Sequence, residues 1–340
     1  MTEHLDIDGS RGEGGGQILR TSLALSMLTG KSFAMRNIRA NRAKPGLRRQ
    51  HATAVDAAAR LCDATVHGAK VDSRYIEFTP GTITGGDFLV DIGSAGSTTL
   101  VVQTLLVPAI ASGKPLRATI RGGTHNPMAP PFEFLERVYL PQLRAMGADV
   151  SITLDQHGFV DSAGPLGQLT LDVRAGGALR PIELVNAGEL VECRATAVLS
   201  RLPTHIGDRE LAVVRERIAE PLSCTLSEVR GGGTANVLFI EIERTSSFEL
   251  VTGFGERGLR AETVAERACD EAAAFLAANV PVGEHLADQL LLPLAVAGGG
   301  RFRCAPLSLH ATTNIETIGL FLDLPIRVEP DGDAVLVTVG

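Results

Sequence analysis

The chain contains an internal repeat, and this restricts its architecture more than any other feature. Leu19 to Ala40 (LRTSLALSMLTGKSFAMRNIRA) and Leu100 to Gly123 (LVVQTLLVPAIASGKPLRATIRGG) share one plan. Each has an apolar helical run, a Gly-Lys turn and a short alternating strand ending in Ile-Arg. Gly30 aligns with Gly113, Lys31 with Lys114, and Ile38-Arg39 with Ile120-Arg121. A proline-containing loop, a second helix (His51–Cys62 and Pro131–Met146) and a strand (Ala64–His67 and Asp149–Leu154) follow each copy. A third, diverged copy closes the chain. In it, GEHLADQLLLPLAVAGGG reads as a helix with a glycine stop and RFRCAPLSLH as a strand. ATTNIETIGLFL then reads as a second helix capped by Thr313 or Asn314, and LPIRVEP as a closing strand. Units of about 80 residues are too long for a solenoid of small repeats. The pattern predicts an α/β fold built in α+β layers, as three β-α-β-α-β subdomains whose helices cover one face of each small sheet.

The third copy is displaced. Glu183 to Asn279 follows another pattern, with strands at Leu190–Ser200, Ala235–Glu243 and Phe248–Thr252 and helices at Ile206–Ala219 and Ala261–Ala278. The expected organisation is a core of residues 1–182 and 280–340 and a smaller inserted α/β domain at 183–279. That insertion contributes none of the motifs assigned below to nucleotide or metal.

Composition excludes several classes. No run reaches the roughly 18 apolar residues of a membrane helix, and the opening MTEHLDIDGS lacks the basic and apolar regions of a signal peptide. The five cysteines are scattered without a CxxC, which argues against a disulfide framework or a cysteine zinc site and implies a reducing, cytoplasmic setting. The absence of tryptophan and the presence of only two tyrosines argue against base stacking as the main mode of nucleic-acid binding. The net charge of −7 conceals an uneven distribution. Between Glu13 and Asp56 lie eight basic residues and no acid, densest in RNIRANRAKPGLRRQH, where Pro45-Gly46 forces a loop. A basic loop in an acidic protein is a local anion site, and arginine forks suit phosphate oxygens; the alternative is an ordinary surface loop.

Other motifs point the same way. In SRGEGGGQILR, glycines around Glu13 expose N–H groups at a helix start, where a lone carboxylate can hold a divalent metal facing a polyphosphate. A plain glycine-rich turn is the alternative. The construction recurs in DIGSAGSTTLVVQ, where Gln103 is either a base or ribose contact or a helix-face residue. Gly30-Lys31-Ser32 lacks the earlier glycine of a P-loop, and GFGERG lacks the second parallel strand of a dinucleotide site. The eight histidines show no HxH or HExxH spacing, which argues against a histidine zinc site. His310, placed between a strand and a helix among hydroxyl and amide neighbours, is the candidate nucleophile, with capping as its alternative role.

Six ordered segments resemble the RNA 3′-terminal phosphate cyclase family over nearly the whole chain: GEGGGQILR, RAKPGLRRQH, GSAGS with Gln103, GGTHNPMAPP, GEHLADQ and HATTNI. The resemblance implies three β-α-β-α-β-β units plus a smaller inserted domain. It implies conversion of an RNA 3′-phosphate to a 2′,3′-cyclic phosphate with ATP, through a histidine–AMP intermediate. His310 matches the nucleophile. Gln103, Pro131, His285, Leu286, Ala287, Asp288 and Gln289 match nucleotide-binding positions, and Glu13 matches the acid that associates with Mg²⁺ or Mn²⁺. Arg20, Arg39, Arg42 and His51 match residues near the RNA terminal phosphate. The implied partner is RNA ending in a 3′-phosphate, without a membrane; a homodimer is a candidate assembly. One segment departs from the family: GFVDSAGPLGQ (Gly158–Gln168) stands where a GFYPxGGG-like turn is usual, and His285 stands where tyrosine is common. A non-catalytic cyclase-like protein of RNA processing is the alternative reading.

Overall fold

The computed structural model describes residues 4–159, 166–219 and 221–340, so residues 160–165 of the Gly158–Gln168 segment lie outside the described residues. The chain first forms β1 (His4–Asp8), α1 (Gln17–Thr29), β2 (Ser32–Arg36), α2 (Arg49–Cys62), β3 (Thr65–His67) and β4 (Ile76–Thr79). It repeats with β5 (Gly86–Asp91), α3 (Thr98–Ser112), β6 (Leu116–Gly122), α4 (Phe132–Phe134), a π-helical turn (Leu135–Tyr139), α5 (Leu140–Ala145), β7 (Val150–Gln156) and β8 (Gly167–Val173). The two-residue β9 (Glu183–Leu184) comes next. Then β10 (Leu190–Ser200), α6 (His205–Arg217), β11 (Leu222–Glu228), β12 (Ala235–Arg244), β13 (Phe248–Phe254) and α7 (Ala261–Ala278) intervene. The chain ends with α8 (Glu284–Val296), β14 (Gly300–Cys304), α9 (Leu309–Phe321), β15 (Ile326–Asp331) and β16 (Ala334–Val339).

The architecture is mixed α/β, with four four-stranded sheets among the described residues. Three of them share one order: β1-β2-β4-β3, β5-β6-β8-β7 and β9-β14-β16-β15. In each, the first pair is parallel and the other two are antiparallel. Glu183 and Leu184, assigned to the insertion on sequence, pair with Arg301 and Phe302 and so belong to the third of these sheets. A two-residue strand is too short to leave a periodic signal.

Helices α1, α3, α8 and α9 pack together, α1 against both α3 and α9 and α8 against α9. The apolar run Leu23–Leu25 of α1 is buried on every side, which explains why it lacks the one-sided pattern of a surface helix. The fourth sheet has two packed faces. Along β12, Leu238, Ile240 and Ile242 face a separate core with Leu211 of α6 and Ala265 and Cys269 of α7. The alternate residues Val237 and Phe239 join the main core instead.

Three expectations are corrected. The helix expected over Pro131–Met146 is divided by the π-helical turn, where Leu140 N–H bonds the carbonyl of Leu135. Pro141 has no N–H for the Arg137 carbonyl and its ring crowds that oxygen, so the regular ladder cannot run through. The strand expected over RFRCAPLSLH ends at Cys304, which puts His310 in the first turn of α9. The cap of that helix is Ser308, whose Oγ accepts from Ala311 N–H at 3.4 Å, rather than Thr313 or Asn314.

Glu210 of α6 is fully enclosed (0% exposed) and accepts from Asn236 Nδ2 at 2.6 Å. Burial pushes its carboxyl up to about 7, against about 4.3 in an unfolded chain. A raised folded value means that its contribution is complete below the unfolded pKa and is lost as pH rises through the folded one. Urea unfolding of the wild type and Glu210→Gln should therefore give a difference that grows in favour of the variant from about pH 4.5 to about pH 7.5. Parallel stability curves would mean that Glu210 ionises normally in the fold.

Candidate active site

The first turns of α1 and α9 meet, and five side chains form a chain of hydrogen bonds there. His310 Nδ1 lies 2.8 Å from Gln17 Oε1. Gln17 Nε2 in turn donates to Asp288 Oδ1 of α8. Asn314 Nδ2 donates to the same Asp288 oxygen at 3.0 Å, and its own Oδ1 accepts from Thr21 Oγ1 at 2.8 Å. The carboxylate fixes which end of the Gln17 amide faces it. Gln17 Oε1 can only accept, so the hydrogen of His310 sits on Nδ1 and Nε2 keeps its lone pair.

That lone pair faces the glycine-rich turn, with Nε2 3.9 Å from Glu13 Oε1. His310 is half exposed (51%), while Glu13 is buried (7%). Glu13 forms an ion pair with Arg42, and its backbone N–H donates to Thr313 Oγ1 at 3.0 Å. The carboxylate folds back over Gly15, leaving no room for a Cβ at that position. Burial lowers the pKa of His310, and Arg42, Arg20 and His285 add to this against the opposing charge of Asp288. The imidazole is therefore neutral at neutral pH. Burial raises the Asp288 carboxyl, and the charges of His310 and Arg20 partly offset it.

The basic residues divide into two groups. Arg20 and His51 converge on Gly16, where a Cβ would meet His51 Nε2 and Arg20 Nη1. His51 Nδ1 accepts from the Arg48 N–H at 3.1 Å, so its Nε2 carries the hydrogen toward that turn. Burial, with Arg20, Arg39 and Arg48 around it, pushes His51 down to about 3. Arg20 is held down to about 10 by burial, against the pull of Asp288. Arg39 has a left-handed backbone (φ 54°) and donates to the carbonyls of Lys44 and Gly46 at 2.8 and 2.9 Å. It holds its own loop, while Arg42 reaches Glu13.

Among the nucleotide positions, Asp288 lies within the hydrogen-bonded group. His285 is exposed, with its ring edge-on to Phe134 at 6.3 Å. Leu286 and Ala287 point into the core and can offer only backbone. The Gln289 Oε1 is buried without a hydrogen-bond partner among the described residues. Gln103 is half-buried on α3, and Pro131 stands at the N-cap of α4; neither joins the His310 group. The insertion reaches this region. The Glu249 carboxylate of β13 is buried (5%) against Gly283, the N-cap of α8, and leaves no space for a Cβ there.

Gln17, Thr313 and Asn314 were not singled out as site residues on sequence. Gln17 and Asn314 are buried polar residues among several on α1 and α9, so composition alone did not mark them out. For metal chemistry, Glu13 offers hard oxygen donors: Oε1 faces Arg42, and Oε2 has no hydrogen-bond partner among the described residues, which suits Mg²⁺ or Mn²⁺ better than a soft ion. No helix of the described residues is long and apolar enough to cross a membrane.

Known proteins share this arrangement of sequence. A family described as RNA 3′-terminal phosphate cyclase matches residues 11–328. The RNA 3′-terminal phosphate cyclase of Ectopseudomonas mendocina is 48% identical over 328 residues, covering 95% of this chain and 94% of that protein. The protein of the same name from Koribacter versatilis is 44% identical over 336 residues, 98% of this chain and 94% of its own. That of Salmonella typhimurium is 42% identical over 340 residues, with both chains covered completely. With the family's sequence pattern matched from the glycine-rich turn to beyond α9, and these relatives aligned nearly end to end, the chain belongs to the RNA 3′-terminal phosphate cyclase family.

Proposed function

We propose that this chain uses ATP to convert an RNA 3′-terminal phosphate to a 2′,3′-cyclic phosphate, with His310 as the covalent nucleophile. The observation that carries this reading is the Gln17 side chain that bridges His310 Nδ1 and the Asp288 carboxylate, which favours the Nδ1–H tautomer and turns Nε2 toward Glu13. Nε2 attacks the α-phosphorus of ATP, and the bond to pyrophosphate breaks. The imidazole gains positive charge, which Asp288 stabilises through the Gln17 amide. An oxygen of the RNA 3′-phosphate then attacks the same phosphorus and His310 leaves. The adjacent 2′-hydroxyl, held beside the activated 3′-phosphate, loses its proton, closes the ring and expels AMP.

Glu13 would hold the Mg²⁺ or Mn²⁺ ion, which supplies charge neutralisation for the phosphates when bound. Arg42 shares that carboxylate and is placed to exchange it for phosphate oxygens. Arg20 and His51 offer buried donors to the RNA phosphate, and Arg39 shapes the loop that presents Arg42. His285 offers its exposed ring to adenine, with Gln103, Pro131, Leu286, Ala287 and Gln289 completing the nucleotide site. The shared order of three sheets supports a core of three β-α-β-α-β-β units in residues 1–182 and 280–340. The separate hydrophobic core supports an inserted domain at 183–279, beginning in effect after Leu184. Five free cysteines, four of them buried, fit a reducing cytoplasm.

Incubation with α-labelled ATP and Mg²⁺ or Mn²⁺ should label the wild type through an acid-labile, base-stable bond. His310→Ala should carry no label, and full labelling of that variant would sink the assignment. The non-catalytic alternative predicts no label in either protein. Gln17→Ala should still fold and bind ATP but label roughly ten- to a hundredfold more slowly, because the imidazole loses its orienting partner. Since the pKa of His310 is held down, labelling should stay level from pH 8 to about 6.5 and decline only below that range. A decline centred above pH 7 would show a different titrating group. Glu249→Ala should raise the KM for ATP several-fold with little change in kcat, because it releases the start of α8 rather than touching the reacting atoms. Equal loss in both parameters would mean that the carboxylate acts on the chemistry itself.

A further inference from the structure

Three titratable side chains outside the His310 group come together where the core meets the insertion. His125 follows β6, Glu133 lies on α4 and His157 follows β7. A ligand atom from each lies within 4.8 Å of the others. His125 is buried (2%), and its Nε2 is 2.9 Å from Glu133 Oε2. The His125 and His157 rings stack at 5.4 Å with only 16° between their planes. Phe159 lies 5.3 Å from the His125 ring, and Phe239 of β12 lies 6.2 Å from it on the insertion's side.

We propose that His125, Glu133 and His157 form a binding site for a borderline transition-metal ion of the zinc class, separate from the Glu13 site. Two imidazoles and a carboxylate are a donor set for Zn²⁺ or Co²⁺ rather than for Mg²⁺, which prefers oxygen alone. The scaffold is already set. The N–H groups of Thr124 and His125 both donate to the Gly158 carbonyl, at 2.8 and 3.1 Å, so the backbones that carry the two histidines are tied together. Thr124 Oγ1 engages His125 Nδ1 at 2.7 Å, the outer contact that orients a ligating imidazole and leaves Nε2 for the ion. Donor atoms around a tetrahedral zinc sit about 3.4 Å apart. The His125–Glu133 pair must open slightly from 2.9 Å, and the half-buried His157 must turn inward. Three protein ligands leave a fourth position for water. The missing HxH spacing does not count against the site, because its ligands come from three separate elements that the sheet and the π-helical turn bring together.

The test uses the full chain, stripped with a chelator and dialysed against micromolar Zn²⁺ with Mg²⁺ in excess. The wild type and Glu13→Gln should each retain one zinc per chain by elemental analysis. His157→Phe, which keeps a stacked ring without a donor atom, should retain none. Co²⁺ should give the visible bands of a four-coordinate ion in the wild type and not in His157→Phe. If His157→Phe does not fold, Glu133→Gln replaces it, with at least a tenfold loss of zinc affinity expected. Absence of retained zinc in the wild type, retention unchanged by these substitutions, or loss in Glu13→Gln would each overturn the proposal.

Discussion

Much of the site depends on one amide. Gln17 stands between a histidine and a buried carboxylate, and each end of its side chain suits only one neighbour. An aspartate in direct contact with the imidazole would fix the same tautomer but would also draw a full proton toward His310. An amide transmits the direction of the carboxylate while keeping its charge one step away. The imidazole stays neutral and its outer nitrogen stays basic. The constraint extends outward, because Asp288 must then be on α8, Asn314 on α9 and Gln17 on α1, and the three helices must meet at one point.

The glycine-rich turn has a matching role. Its residues give up side-chain volume so that Glu13 can lie over Gly15 and so that His51 and Arg20 can approach Gly16. Acidic and basic groups thereby share a small space without neutralising each other completely. Arg42 pairs with Glu13, while Arg20 and His51 remain as donors held in a buried setting, where a phosphate would be their best partner.

The repeat was legible because the first two copies preserve an apolar helix, a Gly-Lys turn and an alternating strand, and the third keeps the helix and its glycine stop. The boundaries of α7 and the strand at Leu190–Ser200 could be read directly, the first from its alanine-rich run and the second from alternation across two packed faces. What could not be read depended on partners far away in sequence. The strand β9 has two residues and exists only because β14 lies beside it. The exposed β11 lies in the insertion's sheet beside β10 and went unread. Gln17 and Asp288 are 271 positions apart, so no local pattern announces that one orients the other. Glu13, Arg42 and His310 could be singled out from their local sequence and were given their roles by the resemblance, but their mutual contacts could not be read, and the pairing of Arg42 with Glu13 joins two roles that had been assigned separately. The reach of Glu249 to the start of α8 was hidden because a single buried glutamate in a strand resembles any other.

The third sheet is assembled across an interruption. Glu183 and Leu184 lie beside Arg301 and Phe302, and a complete sheet with its own helices and core is threaded between them. During synthesis the first strand of that sheet leaves the ribosome more than a hundred residues before its partner. A free loop of that length would make the closure slow, because entropy must be lost before any contact is formed. If the insertion folds first, it brings its two ends together and turns a long closure into a short one. With a core of its own, the insertion would then shorten the closure that brings α8 and α9, which carry Asp288 and His310, back to the first two repeats.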